Sequence, residues 1–536
     1  MHSSDRYLPT KGNLQVKTLH RIALLNLIVL GAIAWLSPHE WYFLLLTVAQ
    51  LVYVPFLLGS FLKKDELAKL SSAAFLAVII LQLTGDTRFD GLLAAIYFFF
   101  TIVIAFHGVK RFLNRGFTHL EEFMIDIGMV YLAVGGMWFF AYEAGINTGF
   151  SPMLKWLTAI HFHYSAFMLP IIVGLLGRID QLRGYRVLAT IIIVSPIIVA
   201  LGITFSTTLE LVSVLVYIVA IYGLILLSFR TKYTSAWQKW FMRLAFLALG
   251  MTILFSLAYA YGNWSGSYHI SITFMLKFHG LMNAVIFGVS GVMVATAFLP
   301  PTKFQKPNFP VSKLRGKARV GEGFLKGKVD YKQSVQGLVD DMTIYQLDFA
   351  RTIKDFYENT GNYRLFAEVN WRHWFLPFAM VYRLFSRVSQ QINLPISKQQ
   401  VEMTGDIYSL KKDLDSRDRV RAWVRKINHD TTFVALYSEH QESDKTYMNI
   451  ALPLPGATMT GILALSKEDE SLILSSREQG IYLGFRDYLM KLPLHEKFKV
   501  REIADGRLIA EHRMWLFNLP FLTIDYEIVK DDIYEK

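Results

Sequence analysis

The sequence predicts a polytopic α-helical membrane bundle of about ten transmembrane helices, followed by a cytoplasmic α+β domain built on an antiparallel sheet. Three observations carry this expectation. Ten apolar segments lie between Ile22 and Pro300. Lys and Arg fall almost entirely in alternate gaps between those segments. From Val401 onward the apolar spacing changes from helical to strand-like. The expected organisation is a membrane part over 1–300, a basic linker over 301–330 and the α+β domain over 331–536.

The apolar segments run 22–37, 41–62, 68–84, 91–109, 121–145, 153–176, 187–205, 208–229, 240–261 and 270–299. A run of about 20 apolar residues spans hydrocarbon as a helix, because only a helix satisfies its own backbone there. One set of gaps holds Arg6, Lys11, Lys17 and Arg21, then Lys63, Lys64 and Lys69, then Lys110, Arg111 and Arg115. It continues with Arg178, Arg183 and Arg186, then Arg230, Lys232 and Lys239, then Lys303 and Lys306. The other gaps hold Arg88 and Lys155 and almost nothing else basic. Basic loops stay in the cytoplasm, so both termini of this multi-pass membrane protein are expected there. The basic stretch before the first apolar run resembles a signal peptide, but no small-residue cleavage site follows, so a retained first helix is expected.

The chain of 536 residues is 53% hydrophobic and carries a formal net charge of +12. In a membrane protein that charge fits loops facing an anionic leaflet. No nucleic-acid motif accompanies it. Cysteine is absent, which excludes disulfides, thiolate metal sites and Cys nucleophiles. The sequence holds no phosphate loop, nucleophile elbow, zincin helix or EF-hand loop, so ATP-driven transport by this chain alone is not expected.

Ionisable groups inside hydrocarbon are costly and are either paired or functional. Glu143, His161, His163, Glu210, Lys277 and His279 all fall in the outer half of the predicted bundle, with Asn283 one turn below His279. His161 and His279 enter from the same face, roughly 12 and 14 Å along their spans at 1.5 Å per residue. Residues two apart on a helix point about 200° apart, so His161 and His163 cannot both face one site. Such a cluster can bind a solute, relay protons, ligate haem or a metal, or form interhelical hydrogen bonds with a Lys–Glu pair that fixes packing. His107 and Asp126 lie toward the cytoplasmic ends of their spans, where interfacial water can meet them. Pro170 and Pro196 interrupt two helices, and Gly128, Gly135 and Gly136 mark close packing.

In the second part, Leu338, Met342, Tyr345, Phe349, Ile353 and Phe356 give 334–359 helical spacing. The segment from Tyr363 to Leu394 is rich in Trp, Phe, Tyr and Arg, and such a segment can lie in a membrane interface or cap the following sheet. Strands are expected over Thr432–Ser438, Tyr447–Leu454, Ser471–Leu474, Phe498–Ile503, Leu508–His512 and Phe521–Ile528. Asp413, Asp415 and Asp418 with Arg417, Arg419 and Arg421 read as a solvated charge run.

The runs His161-Phe-His-Tyr-Ser-Ala-Phe167, Phe278-His-Gly-Leu-Met-Asn-Ala284, Tyr447-Met-Asn-Ile-Ala-Leu-Pro-Leu-Pro455 and Phe521-Leu-Thr-Ile-Asp-Tyr-Glu527 make the chain similar to YndJ-like bacterial membrane proteins. The resemblance covers nearly the whole chain and implies the same order of membrane part then soluble part. It implies no residue-level chemistry. The sequence therefore points to a transporter or ligand-binding membrane protein whose outward site, His161, His163, Lys277, His279, Asn283, Glu143 and Glu210, takes an anionic or protonatable solute. Two alternatives stand beside it: a membrane-embedded haem- or metal-binding enzyme, and a scaffold whose soluble domain binds lipid or a partner. The sequence specifies no cofactor.

Overall fold

Residues 18–62 and 67–531 are described in the computed structural model. The charged positions Arg6, Lys11, Lys17, Lys63 and Lys64 therefore lie outside the described residues. The chain divides into a membrane unit, Met1–Phe112 with His119–Lys303, and a sheet unit, Phe304–Lys536 with the short segment Leu113–Thr118.

Nine helices among the described residues are long and apolar enough to cross a bilayer: Thr18–Leu36, Trp41–Phe61, Asp90–Leu113, Leu120–Glu143, Pro152–Ile179, Tyr185–Phe205, Thr207–Arg230, Ala236–Ser265 and Ile272–Thr296. A tenth apolar helix, Ala68–Leu83, has 16 residues and rises about 24 Å, somewhat less than the hydrocarbon thickness. The expected spans are thus all present. Their junctions follow local chemistry. Ser206 sits in extended conformation between two spans, and its hydroxyl accepts from the Leu209 N–H at 3.3 Å. That single-residue turn brings the Glu210 backbone within 2.6 Å of where a Cβ on Gly202 would stand, so only glycine fits there.

Three spans depart from α geometry. Ala49–Tyr53, Phe162–Met168, Met275–Gly280 and Asn283–Phe287 wind as π-helix. A π turn is an insertion that disturbs the carbonyl ladder, and in hydrocarbon each disturbed carbonyl needs a donor. Tyrosine hydroxyls supply two: Tyr53 donates to the Ala284 carbonyl at 2.6 Å and Tyr164 to the Leu45 carbonyl at 2.8 Å.

The second unit is one twelve-stranded antiparallel sheet. Its strands are β1 (Tyr363–Trp371), β2 (Val401–Glu402), β3 (Thr404–Ser409), β4 (Arg421–Ile427), β5 (Asp430–Glu442), β6 (Lys445–Leu454), β7 (Ala457–Glu468), β8 (Ser471–Phe485), β9 (Tyr488–Lys491), β10 (Leu494–Ala504), β11 (Arg507–Leu516) and β12 (Leu519–Lys530). The order is β2-β1-β12-β11-β10-β8-β7-β6-β5-β4-β3, with β9 on β8. The two ends of that order, β2 and β3, are consecutive strands separated only by Met403. The sheet therefore curls into a nearly closed barrel. Side chains alternate between two cores. On β5, Phe433, Ala435 and Tyr437 enter the larger one, and Val434 and Leu436 the other.

Three expectations for this unit are corrected. Residues 301–330 do not form an open linker: Leu314, Val320, Phe324, Leu325 and Val329 are buried against Ala422, Val424, Val434 and Leu436. The segment 334–359 is helical only over Arg351–Glu358, with a 3-10 turn at Met342–Tyr345. Its six apolar residues are nonetheless all buried, so their spacing signalled a buried stripe and not a continuous helix. The Asp/Arg run is not uniformly solvated. Arg417 and Asp415 form a sealed ion pair at 2.9 Å, and the buried Arg421 is paired with Asp340.

A candidate intramembrane site

Two spans carry the site. Ser151 caps the first, accepting from the Leu154 N–H at 3.2 Å, and Pro152 pre-sets its first turn. The second begins at Ser271, which caps in the same way onto Phe274. Each then enters a π segment at its histidines. π turns re-aim side chains and are frequent at functional sites.

The imidazoles of His161 and His279 face each other, ring centroids 6.4 Å apart. His279 is engaged at both nitrogens. Its Nδ1 donates to the Thr252 carbonyl at 3.0 Å, with Ser256 Oγ at 3.3 Å, and Asn283 donates to its Nε2 at 3.2 Å. The Thr252 hydroxyl completes the ring by donating to Asn283 Oδ1 at 2.8 Å. This network fits a neutral ring protonated at Nδ1. His161 uses Nδ1 to donate to the Leu157 carbonyl at 2.6 Å. Its Nε2 has no protein partner among the described residues. His161 is exposed, whereas its neighbours Ala159, Ile160, Phe162 and His163 are all buried.

The other expected residues do not join this pair. His163 turns away, as two-residue spacing on a helix requires. Tyr97 donates to its Nε2 at 2.8 Å, and its Nδ1 donates to the Ala159 carbonyl at 2.8 Å. Gly135 makes the room, since a Cβ there would lie 2.8 Å from the ring. His163 is thus a saturated packing group. Lys277 is exposed on the same π segment as His279 and forms no ion pair with Glu143 or Glu210 among the described residues. Glu210 is buried and hydrogen-bonded by Asn263. Glu143 lies near Asp90 and Asp86, themselves acidic. The expected Lys–Glu pairing is therefore not formed.

Two features escaped the sequence reading. Lys155 is buried and donates to the carbonyls of Ala141 and Ile146, at 3.3 and 2.9 Å, where the Leu120–Glu143 helix ends. The second is an ionic network. Glu122 binds Arg178 at 2.8 Å and Arg111 at 3.4 Å, and Arg111 binds Asp126 at 2.6 Å. Glu122 and Asp126 are 1% and 2% exposed, so Asp126 is buried and paired, not merely interfacial. Three acidic residues, Glu121, Glu122 and Asp126, at the start of an apolar helix that follows the basic Lys110, Arg111 and Arg115 were the available signal. Among the described residues no three His, Cys, Asp or Glu side chains converge as a metal site.

Residues 44–287 match the family model described as YndJ-like protein. An "Uncharacterized membrane protein YndJ" of Bacillus subtilis (strain 168) is 37% identical over 478 residues, 85% of this chain and 86% of that protein. The chain belongs to the YndJ-like family. An alignment of that length cannot fit within the membrane unit, so the YndJ-like likeness extends into the sheet. All seven candidate residues, Glu143 through Asn283, lie within the stretch matched by the YndJ-like model. No solved structure matches the chain.

Proposed function

We propose that this multi-pass membrane protein is a transporter that binds a small anionic or protonatable solute where His161 faces His279. The observation that carries the reading is the unsatisfied Nε2 of an exposed His161, set between buried neighbours on its helix and opposite an imidazole locked by its own partners. A locked ring presents a fixed polar wall. An open nitrogen accepts a proton or a hydrogen bond from a solute. Lys277, exposed on the same segment as His279, supplies a positive charge for an anion. Loop charge supports cytoplasmic termini, which puts the pair in the outer half of the bundle and the sheet unit in the cytoplasm.

The absence of cysteine makes the test direct, because any introduced thiol is the sole one. In intact cells, His161→Cys and Lys277→Cys are expected to react with a membrane-impermeant thiol reagent added outside. Ala166→Cys, at a fully buried position of the same span, is expected to stay unlabelled. In proteoliposomes holding a pH dye, a panel of carboxylates and amines should include one whose flux is lost in His161→Ala and kept in His163→Phe. A cluster labelled from neither side would return both histidines to packing.

A further inference from the structure

The Leu376–Ser389 helix of the sheet unit is built inside out. Its buried positions are Ala379, Ser386 and Ser389. Phe378, Val381, Leu384, Phe385 and Val388 are all exposed, Phe385 by 67% and Val388 by 69%. A helix on a water-soluble domain turns its apolar stripe inward; here the stripe faces out. The patch continues onto the β11–β12 turn, where Trp374 donates to the Pro520 carbonyl at 2.9 Å beside the exposed Leu519. Contiguous apolar surface of this kind marks an interaction site.

We infer that this helix docks on the lipid bilayer, lying in the interface with its apolar face among the acyl chains and Arg372 and Arg387 against anionic headgroups. Three observations favour lipid over a protein partner. The unit is covalently held at a membrane, since its main part begins at Phe304, just after the last span ends at Thr296. The apolar face is flanked by exposed Trp374 and Tyr382, residue types that settle at headgroup level. Its exposed charges are cationic: among the described residues Arg372 and Arg387 form no ion pair, and no acidic residue occurs from Asn370 to Leu394. A large apolar face with basic flanks is the pattern of an interfacial helix. It is independent of the solute site, and it holds whether or not that site transports anything.

The test uses the full chain in lipid nanodiscs, each carrying one nitroxide on an introduced cysteine. A label at Val388→Cys is expected to collide more with oxygen, which concentrates in lipid, than with a water-soluble nickel chelate. A label at the solvated Lys412→Cys is expected to show the reverse. With Arg372→Gln and Arg387→Gln, the docked-to-free ratio on anionic discs should fall about fivefold per arginine, and little on neutral discs. Both positions are exposed, so these variants leave the packing intact. A Val388 label that favours nickel places the helix in water and overturns the proposal. A label hidden from both reagents means a protein surface covers it, which also overturns the proposal; dipolar broadening between labels would identify that surface as a second copy.

Discussion

Replacing Arg417 by Met asks how much the sheet depends on the sealed pair with Asp415. The two side chains are 0% and 2% exposed. Arg417 also donates to the carbonyls of Leu436 on β5, at 3.1 Å, and Asn449 on β6, at 3.4 Å, and Asp415 accepts from the Ser312 hydroxyl at 2.8 Å. The substitution leaves a buried carboxylate without its cation and two carbonyls without their donor. Breaking a buried pair by removing one member costs about 3–5 kcal/mol. At about 1.4 kcal/mol per decade, amides that exchange through opening of this region speed up roughly 100- to 4,000-fold. Hydrogen–deuterium exchange on the full chain should show that acceleration in β5 and β6, with a smaller one in β10 and β11. Arg417→Lys keeps the charge but not the planar fork, and should fall between. Asp415→Leu with Arg417→Met should recover part of the loss, because the lone carboxylate is gone. If Arg417→Met changes exchange by less than about fivefold, the pair is solvated and the burial argument fails.

Two further outcomes test other parts of the structure. Reporter fusions after Arg115, Arg186 and Lys232 should read cytoplasmic, and fusions near Asn147 and Ser265 external; reversal at two of them would discard the proposed topology. Burial alone would raise the Asp355 carboxyl, but hydrogen bonds from Lys530, Tyr363 and Asn359 outweigh it and hold the group below the usual aspartate value. That stabilisation is present above the unfolded value of about 3.9 and is lost as pH falls through the lower folded one. Asp355→Asn should therefore flatten the loss of thermal stability below about pH 4, and an unchanged acid limb would show the contact contributes nothing.

The spans were legible because hydrocarbon imposes one rule on composition and length, which local propensity cannot override. Parts of β5, β6, β8, β10, β11 and β12 were legible because short apolar runs there lie between turn or charged residues, whereas β7 and β9 were not anticipated. β1 was not: Tyr363–Trp371 alternates Arg, Glu and Asn with apolar residues, but aromatic residues after it obscured the period. The Asp415–Arg417 pair was illegible because a two-residue spacing says nothing about what covers it, here the chain around Ser312. At the candidate site, helical depth placed His161 and His279 at one level. Which helices adjoin is a matter of packing, so neither their facing rings nor the Thr252 and Ser256 partners of His279 could be read from spacing. The separation of His161 from His163 could, since it follows from helical rotation alone.

The pairing of β1 with β12 has a consequence for the order of assembly. Trp371 lies opposite Leu522 and Tyr363 opposite Lys530, so β1 waits for a strand made much later. Until then β1 can pair only with the two residues of β2. The meander from β3 to β8 pairs neighbour with neighbour and can form as it is synthesised, whereas the seam at β1 cannot. During synthesis β1 therefore presents an unsatisfied strand edge next to the outward-facing Leu376–Ser389 helix. Shielding of that interval, by a chaperone or by the bilayer itself, would matter more to the yield of this protein than the stability of its finished sheet.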